Sequence, residues 1–258
     1  MDAFCGNEGS VVEKYARLSQ AEQKALLDSI IERCRANGKA RTPVIVFDLD
    51  GTLMDNRPRT AAILRELGEK WTKDHPDVAQ TLVAAKPEDL AYLLTDTLGK
   101  LGVRRTDLVR EAEIFWRERF FTDGYLAHDV EVPGASAFAR ACYDAGGILV
   151  YFTGRDLPLM GIGSFASLRD LGFPIGLPGT ELVLKPDANM PDEAFKRMQG
   201  PALERVGRVV AIFDNEPGNC NVLGEHFPEA YSVLLDTQHL PGAPPLAPTV
   251  KAIADFRR

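Results

Sequence analysis

One stretch constrains this chain more than any other. Between Pro43 and Gly51 stand Val44, Ile45, Val46, Phe47, Asp48, Leu49 and Asp50, so five of the six positions 44–49 are apolar. An apolar run bounded by a proline and a glycine reads as a strand buried on both faces, as at the centre of a parallel sheet. Its end carries two carboxylates. Asp48 and Asp50 are two residues apart, so an extended backbone points them the same way. Like charges that close resist ionising together. Gly51 lets the chain turn sharply, and Thr52 adds a hydroxyl. Ligands of α/β sheets bind outside the carboxyl ends of the strands, so costly charge lies where a site belongs.

Other strand ends carry polar groups in the same way. An apolar segment at 148–152 follows an expected helix over 135–145 and runs into Thr153-Gly154-Arg155. A hydroxyl with the backbone N–H groups of a strand-to-helix turn makes a phosphate cradle. Arg155 is placed either toward a substrate anion or at the surface. A short strand at 181–184 precedes Lys185-Pro186, and Pro191-Asp192-Glu193 opens a helix that carries Lys196. The strand at 206–213 ends in Asp214-Asn215-Glu216-Pro217, and 231–235 reads as the last strand. A proline-rich run to Pro248 then leads to a short terminal helix.

Two regions lack this rhythm. Residues 1–42 form a helical extension: Ser19 and Glu22 make a capping-box pattern, and Ala25, Leu26, Ile30, Ile31 and Cys34 recur at helical spacing. Asn37-Gly38 ends that helix, which is expected to pack on the core's flank. Residues 56–131 read as helices only. One carries Leu64, Leu67 and Trp71, a second starts at Pro87 with Leu90, Leu93, Leu94, Leu98 and Leu101, and a third spans 106–121. A parallel crossover needs only one helix, so this excess is an insertion with a small bundle of its own.

Composition narrows the partners. The chain has 258 residues, 45% hydrophobic and 26% charged, with net charge −7, which argues against a polyanion-binding surface. No apolar stretch has the length of a membrane span, and the acidic start lacks the order of a secretory signal. Cys5, Cys34, Cys142 and Cys220 have no metal-ligand spacing and read as reduced thiols, so a cytoplasmic location is expected.

The run Phe47-Asp48-Leu49-Asp50-Gly51-Thr52-Leu53 resembles the first motif of the haloacid dehalogenase-like superfamily of phosphohydrolases. Thr153-Gly154-Arg155 is similar to its second motif, a lysine before the next strand to its third, and Asp214 to its fourth. The resemblance implies a Rossmann-like α/β fold, a parallel sheet flanked by helices, with 43–55 and 132–258 as catalytic core and 56–131 as the helical cap that sets substrate choice. It implies hydrolysis of a phosphomonoester through an aspartyl-phosphate. Asp48 would be the nucleophile, Asp50 the general acid and then base, with its pKa raised by its carboxylate neighbour. Thr153 would bind a phosphoryl oxygen, and a lysine would hold its charge. Lys196 is preferred for that role over Lys185, which is kept with Thr52, Gly154 and Arg155 as a substrate-binding candidate.

Mg²⁺ would be held by Asp48, Asp50 and Asp214, since hard oxygen donors suit it. Many members carry a second Asp where this chain has Asn215, and Glu216 is placed to compensate through a bound water. A small phosphorylated metabolite is the expected substrate, ahead of a nucleic-acid end. The acid at Asp50 argues against a dehalogenase proper. A phosphomutase acting on a phosphosugar shares every motif and remains open, as does a non-catalytic binding protein of the same fold.

Overall fold

The computed structural model describes residues 15–35 and 41–258. Its centre is β1 (Pro43–Phe47), every residue of which is buried. Beside it lie β4 (Ile148–Asp156) and β6 (Arg208–Asp214), then β5 (Thr180–Lys185), β7 (Tyr231–Leu235) and β8 (Lys251–Ile253). The sheet order is β5-β4-β1-β6-β7-β8, and every pairing is parallel. All six strands therefore point their carboxyl ends to one side.

Alternation along the central strands fills both faces. Ile45, Phe47, Leu149, Tyr151, Ala211 and Phe213 pack on one face against α1 (Gln20–Arg35) and α6 (Ala135–Asp144). Val44, Val46, Val150, Phe152, Val209 and Ile212 pack on the other, under α8 (Asp192–Gln199) and α9 (Pro217–His226). The result is a three-layer, Rossmann-like α/β fold. Ser19 and Glu22 form the expected capping box: the Ser19 hydroxyl accepts from the Glu22 amide at 3.4 Å, and the Ser19 amide donates to the Glu22 carboxylate at 2.9 Å. The buried face of that helix is Gln23, Leu27, Ile30, Ile31 and Cys34. Ala25 is exposed, which corrects the expected stripe by a fraction of a turn. The expected end at Asn37-Gly38 lies outside the described residues.

The helical insertion hangs from a two-stranded antiparallel stem, β2 (Met54–Asp55) with β3 (Val130–Glu131). It comprises α2 (Arg57–Trp71), α3 (Pro76–Ala84), α4 (Leu94–Lys100) and α5 (Thr106–Phe120). These share a cluster of their own around Leu64, Leu67, Trp71, Leu82, Leu98 and Leu108. The stem and α3 add to the expected helices. The expected helix from Pro87 is broken: Pro87–Asp89 is a single 3-10 turn, and Leu90 and Leu93 are extended before α4 begins.

Two further expectations change. Thr153-Gly154-Arg155 belongs to β4, which runs on to Asp156 with its register to β5 shifting between Phe152 and Asp156. Asp156 caps the next helix, α7 (Leu157–Asp170), by accepting from the Leu159 amide at 2.9 Å. The terminal segment is not a helix. Residues 251–253 form β8 because the exposed edge of β7 needs a partner, and Ala252 in turn accepts from the Leu18 amide at 2.9 Å.

Candidate active site

Asp48 stands just beyond β1, its amide donating to the Phe213 carbonyl at 2.9 Å. That bond keeps the chain paired with β6 up to the carboxylate. Asp214 ends β6, so parallel neighbours bring the two acids side by side. Lys196, on α8, joins them: its Nζ donates to Asp48 Oδ1 at 2.7 Å and to Asp214 Oδ2 at 2.5 Å. All three side chains are buried. Asp214 Oδ1 also accepts from the Glu216 amide at 2.9 Å and from Asn219 Nδ2 at 3.2 Å.

This group holds two carboxylates against one ammonium. Burial pushes the Asp48 carboxyl up to about 8; Lys196 pulls against that, while Asp214 and Asp50 add to it. For Lys196 burial works against the charge, yet Asp214 and Asp48 outweigh it and hold the ammonium well above the ordinary lysine range.

Asp50 is in a different situation. Arg155 donates to it through Nε at 2.7 Å and Nη2 at 2.9 Å, and Arg59 through Nη2 at 2.7 Å. Both guanidiniums also bind Asp129. Arg59 reaches it through Nε at 2.8 Å and Nη2 at 2.6 Å, and Arg155 through Nη2 at 2.7 Å. Arg59 comes from α2, Asp129 from just before β3 and Arg155 from β4, so the four charges tie the insertion to the sheet. Burial alone would raise the Asp50 carboxyl, but Arg155 and Arg59 outweigh it and hold it well below the usual carboxylate range. The expected direction, upward under the influence of its neighbour, is therefore reversed. Arg155, itself fully buried, is neither a surface residue nor free to receive a substrate anion.

Asp48, Asp50, Thr153, Gly154, Arg155, Lys185 and Lys196 all line a cavity of about 1250 Å³ that opens between the strand ends and the insertion. A Cβ on Gly154 would lie 2.2 Å from Asp192 Oδ2, so a side chain there would displace the Asp192 carboxylate. Gly51, at φ +76°, turns the chain after Asp50, and a Cβ on it would strike Asn215 at 2.5 Å. Thr52 does not line the cavity as a substrate-binding residue would. It is buried, donating to Asn215 Oδ1 at 3.2 Å, while Asn215 Nδ2 donates to the Gln238 carbonyl at 2.6 Å. Asn215 thus braces the turn.

Lys185 ties its own loop together, donating to the Met190 carbonyl at 2.9 Å and to Asp192 at 2.7 Å. Of the two lysines, Lys196 is the one that reaches Asp48. Glu216 faces inward, accepting from the Leu240 amide at 3.2 Å, and burial raises its carboxyl.

Among the described residues no three His, Cys, Asp or Glu side chains converge as a metal cage would require. Of the expected set, Asp48 and Asp214 share Lys196, while the Asp50 carboxylate is held by Arg59 and Arg155. Arg59, Asp129 and Asn219 were missed. Arg59 and Asp129 lie 70 residues apart, and no local pattern links them. The only local hint at Asn219 was its place in the first turn after Asp214.

No protein-family model and no curated protein matches the chain. Among solved structures it is similar to protein tyrosine kinase A of Mycobacterium tuberculosis, at 16% identity over 85% of this chain and 96% of that one, with a TM-score of 0.50. It is also similar to a haloacid dehalogenase-like hydrolase and another hydrolase, both from Streptococcus pneumoniae. These are 13% and 15% identical over 74% and 72% of this chain (83% and 88% of theirs), with TM-scores of 0.41 and 0.43. The likeness to the first of these is one of fold. Motifs and fold agree: the chain has the Rossmann-like α/β fold that its resemblance to the haloacid dehalogenase-like superfamily implies.

Proposed function

We propose that this chain is a phosphohydrolase that uses Asp48 as its nucleophile on a phosphomonoester. The observation that carries the reading is the Asp48–Lys196–Asp214 group, fully buried yet short of one positive charge, at the floor of a cavity large enough for a small metabolite. A buried carboxylate without sufficient counter-charge is costly, and such a group becomes favourable when a cation completes it.

Mg²⁺ fits that deficit. Asp48 and Asp214 offer hard oxygen donors from adjacent strand ends, which suit this ion. When bound, the ion would supply charge neutralisation at the phosphoryl oxygens. Everything else falls to the chain. Asp48 attacks phosphorus, and the P–O bond to the leaving group breaks as its oxygen takes a proton from Asp50; water, giving a proton back to Asp50, then cleaves the aspartyl-phosphate and returns the carboxylate. Lys196 holds the charge of nucleophile and phosphoryl group, and Thr153 offers its hydroxyl to a phosphoryl oxygen. Residues 56–131 act as the cap over this site.

In this arrangement Asp50 accepts from Arg59 and Arg155. Arg59 lies on α2 of the insertion, so the insertion supplies one of the two groups that hold the Asp50 carboxylate.

The experiment is a screen for phosphate release from small phosphomonoesters with Mg²⁺ and with a chelator, repeated on Asp48→Asn. Release that needs Mg²⁺ and disappears in the variant supports the reading. Release that persists in Asp48→Asn removes Asp48 from the chemistry.

A further inference from the structure

The cavity has a wall that the carboxylate site does not use. Trp116, Phe120 and Phe121, at the end of α5, line it together with Asp48 and Lys196. Their rings form one cluster. Trp116 stacks on Phe120 with centroids 4.3 Å apart and planes at 26°, and Phe121 meets both edge-on, at 5.6 and 5.0 Å. The Phe120 ring also carries the Arg59 guanidinium, 4.3 Å from its centroid, and that guanidinium donates to Asp50 at 2.7 Å. One side chain therefore separates the rings from the acid two residues beyond Asp48.

The cluster presents apolar faces only. The indole N–H, its single donor, is already given to Thr60 Oγ1 at 3.0 Å. Phe121 is 39% exposed and lines the cavity, so its ring is accessible from the cavity side. An aliphatic group laid on such a wall gains buried area alone. A planar aromatic group gains in addition from offset or edge-to-face contact with rings already fixed in place.

We infer that the substrate of this site carries a planar aromatic group that lies against Trp116 and Phe121 while its phosphate sits at Asp48 and Lys196. The inference rests on the phosphohydrolase reading for the phosphate end only. An aryl phosphate and a nucleoside monophosphate share this chemistry.

Benzylphosphonate and cyclohexylmethylphosphonate have the same charge and nearly the same bulk, and neither can be hydrolysed. Titration calorimetry with Mg²⁺ present should show the benzyl compound binding about three- to tenfold more tightly, the size of an aromatic pair beyond its area. Trp116→Leu and Phe121→Leu should each bring the ratio toward one. Phe121 is exposed, so its variant keeps the test valid if Trp116→Leu does not fold. Equal affinities, binding of neither compound, or a ratio that survives Phe121→Leu overturns the inference.

Phosphate release from benzyl phosphate is measured alongside. Ring preference without release overturns the phosphohydrolase reading and spares the inference; release without preference does the reverse. Turnover of phenyl phosphate against a nucleoside 5′-monophosphate then assigns the ring's source, and either result supports the inference.

Discussion

Two ionic groups meet at the floor of one cavity with opposite charge balance. Asp48, Lys196 and Asp214 set two negative charges against one positive, while Asp50, Asp129, Arg59 and Arg155 set two against two. The second group is closed: each carboxylate is held by two guanidiniums, mostly through forked contacts that suit their planar geometry. Nothing further is needed to satisfy it. The first group is open, because its single ammonium is shared and Asp48 is driven toward the neutral form. The difference teaches where chemistry belongs. A neutral, fully paired cluster holds parts together; an under-compensated one receives a ligand.

The comparison breaks most visibly at the lysines. Lys196→Ala should lower phosphate release by at least two orders of magnitude, in line with about 2.7–4 kcal/mol for losing one preorganised charge-stabilising donor. Lys185→Ala, which removes hydrogen bonds to Met190 and Asp192 and none to Asp48 or Asp214, should lower it less than tenfold. Equal losses in the two turnover numbers would remove the distinction between the open group and its surroundings.

The closed group should fail in stability instead. Asp129→Asn leaves two buried guanidiniums with one carboxylate, and breaking such a pair costs roughly 3–5 kcal/mol. A urea titration should show this as a lowered midpoint. Asp192→Asn removes a carboxylate that is 58% exposed from Lys185, where the expected loss is about 0–1 kcal/mol. If the two midpoints move equally, the closed group is no stronger than a surface pair.

Ser19→Ala lies outside both groups and sets the scale. Losing this cap should cost about 1 kcal/mol, with turnover unchanged. A change in phosphate release would mean that α1 supports the site and not only the flank of the sheet.

Sequence reading reached the open group and missed the closed one, for a physical reason. Asp48, Lys196 and Asp214 each sit beside a local signal, either a buried strand with an acid at its end or a helix opened by Pro191 and Asp192. Parallel pairing of β1 with β6 then joins them automatically. Arg59 and Asp129 have no such signal. Arg59 reads as one more charge on an amphipathic helix, and only the two-stranded stem at Met54–Asp55 and Val130–Glu131 brings it to Asp129 and Asp50. Strands of two residues carry too little pattern to be seen. The direction of the Asp50 shift was misread because its nearest charge in sequence, Asp48, is not the nearest in space. The edge strand at 251–253 was taken for a helix because three residues show no period. Its pairing depends on β7 and on the segment near Leu18.

The central claim is that Asp48 becomes phosphorylated. It is tested most directly by incubating the protein with a labelled phosphomonoester and Mg²⁺, quenching in acid and mapping the label by peptide mass spectrometry. The label should lie on Asp48, be released by hydroxylamine as an acyl phosphate, and be absent from Asp48→Asn. Phosphate released without any covalent label, or a label carried by another residue, would contradict the account.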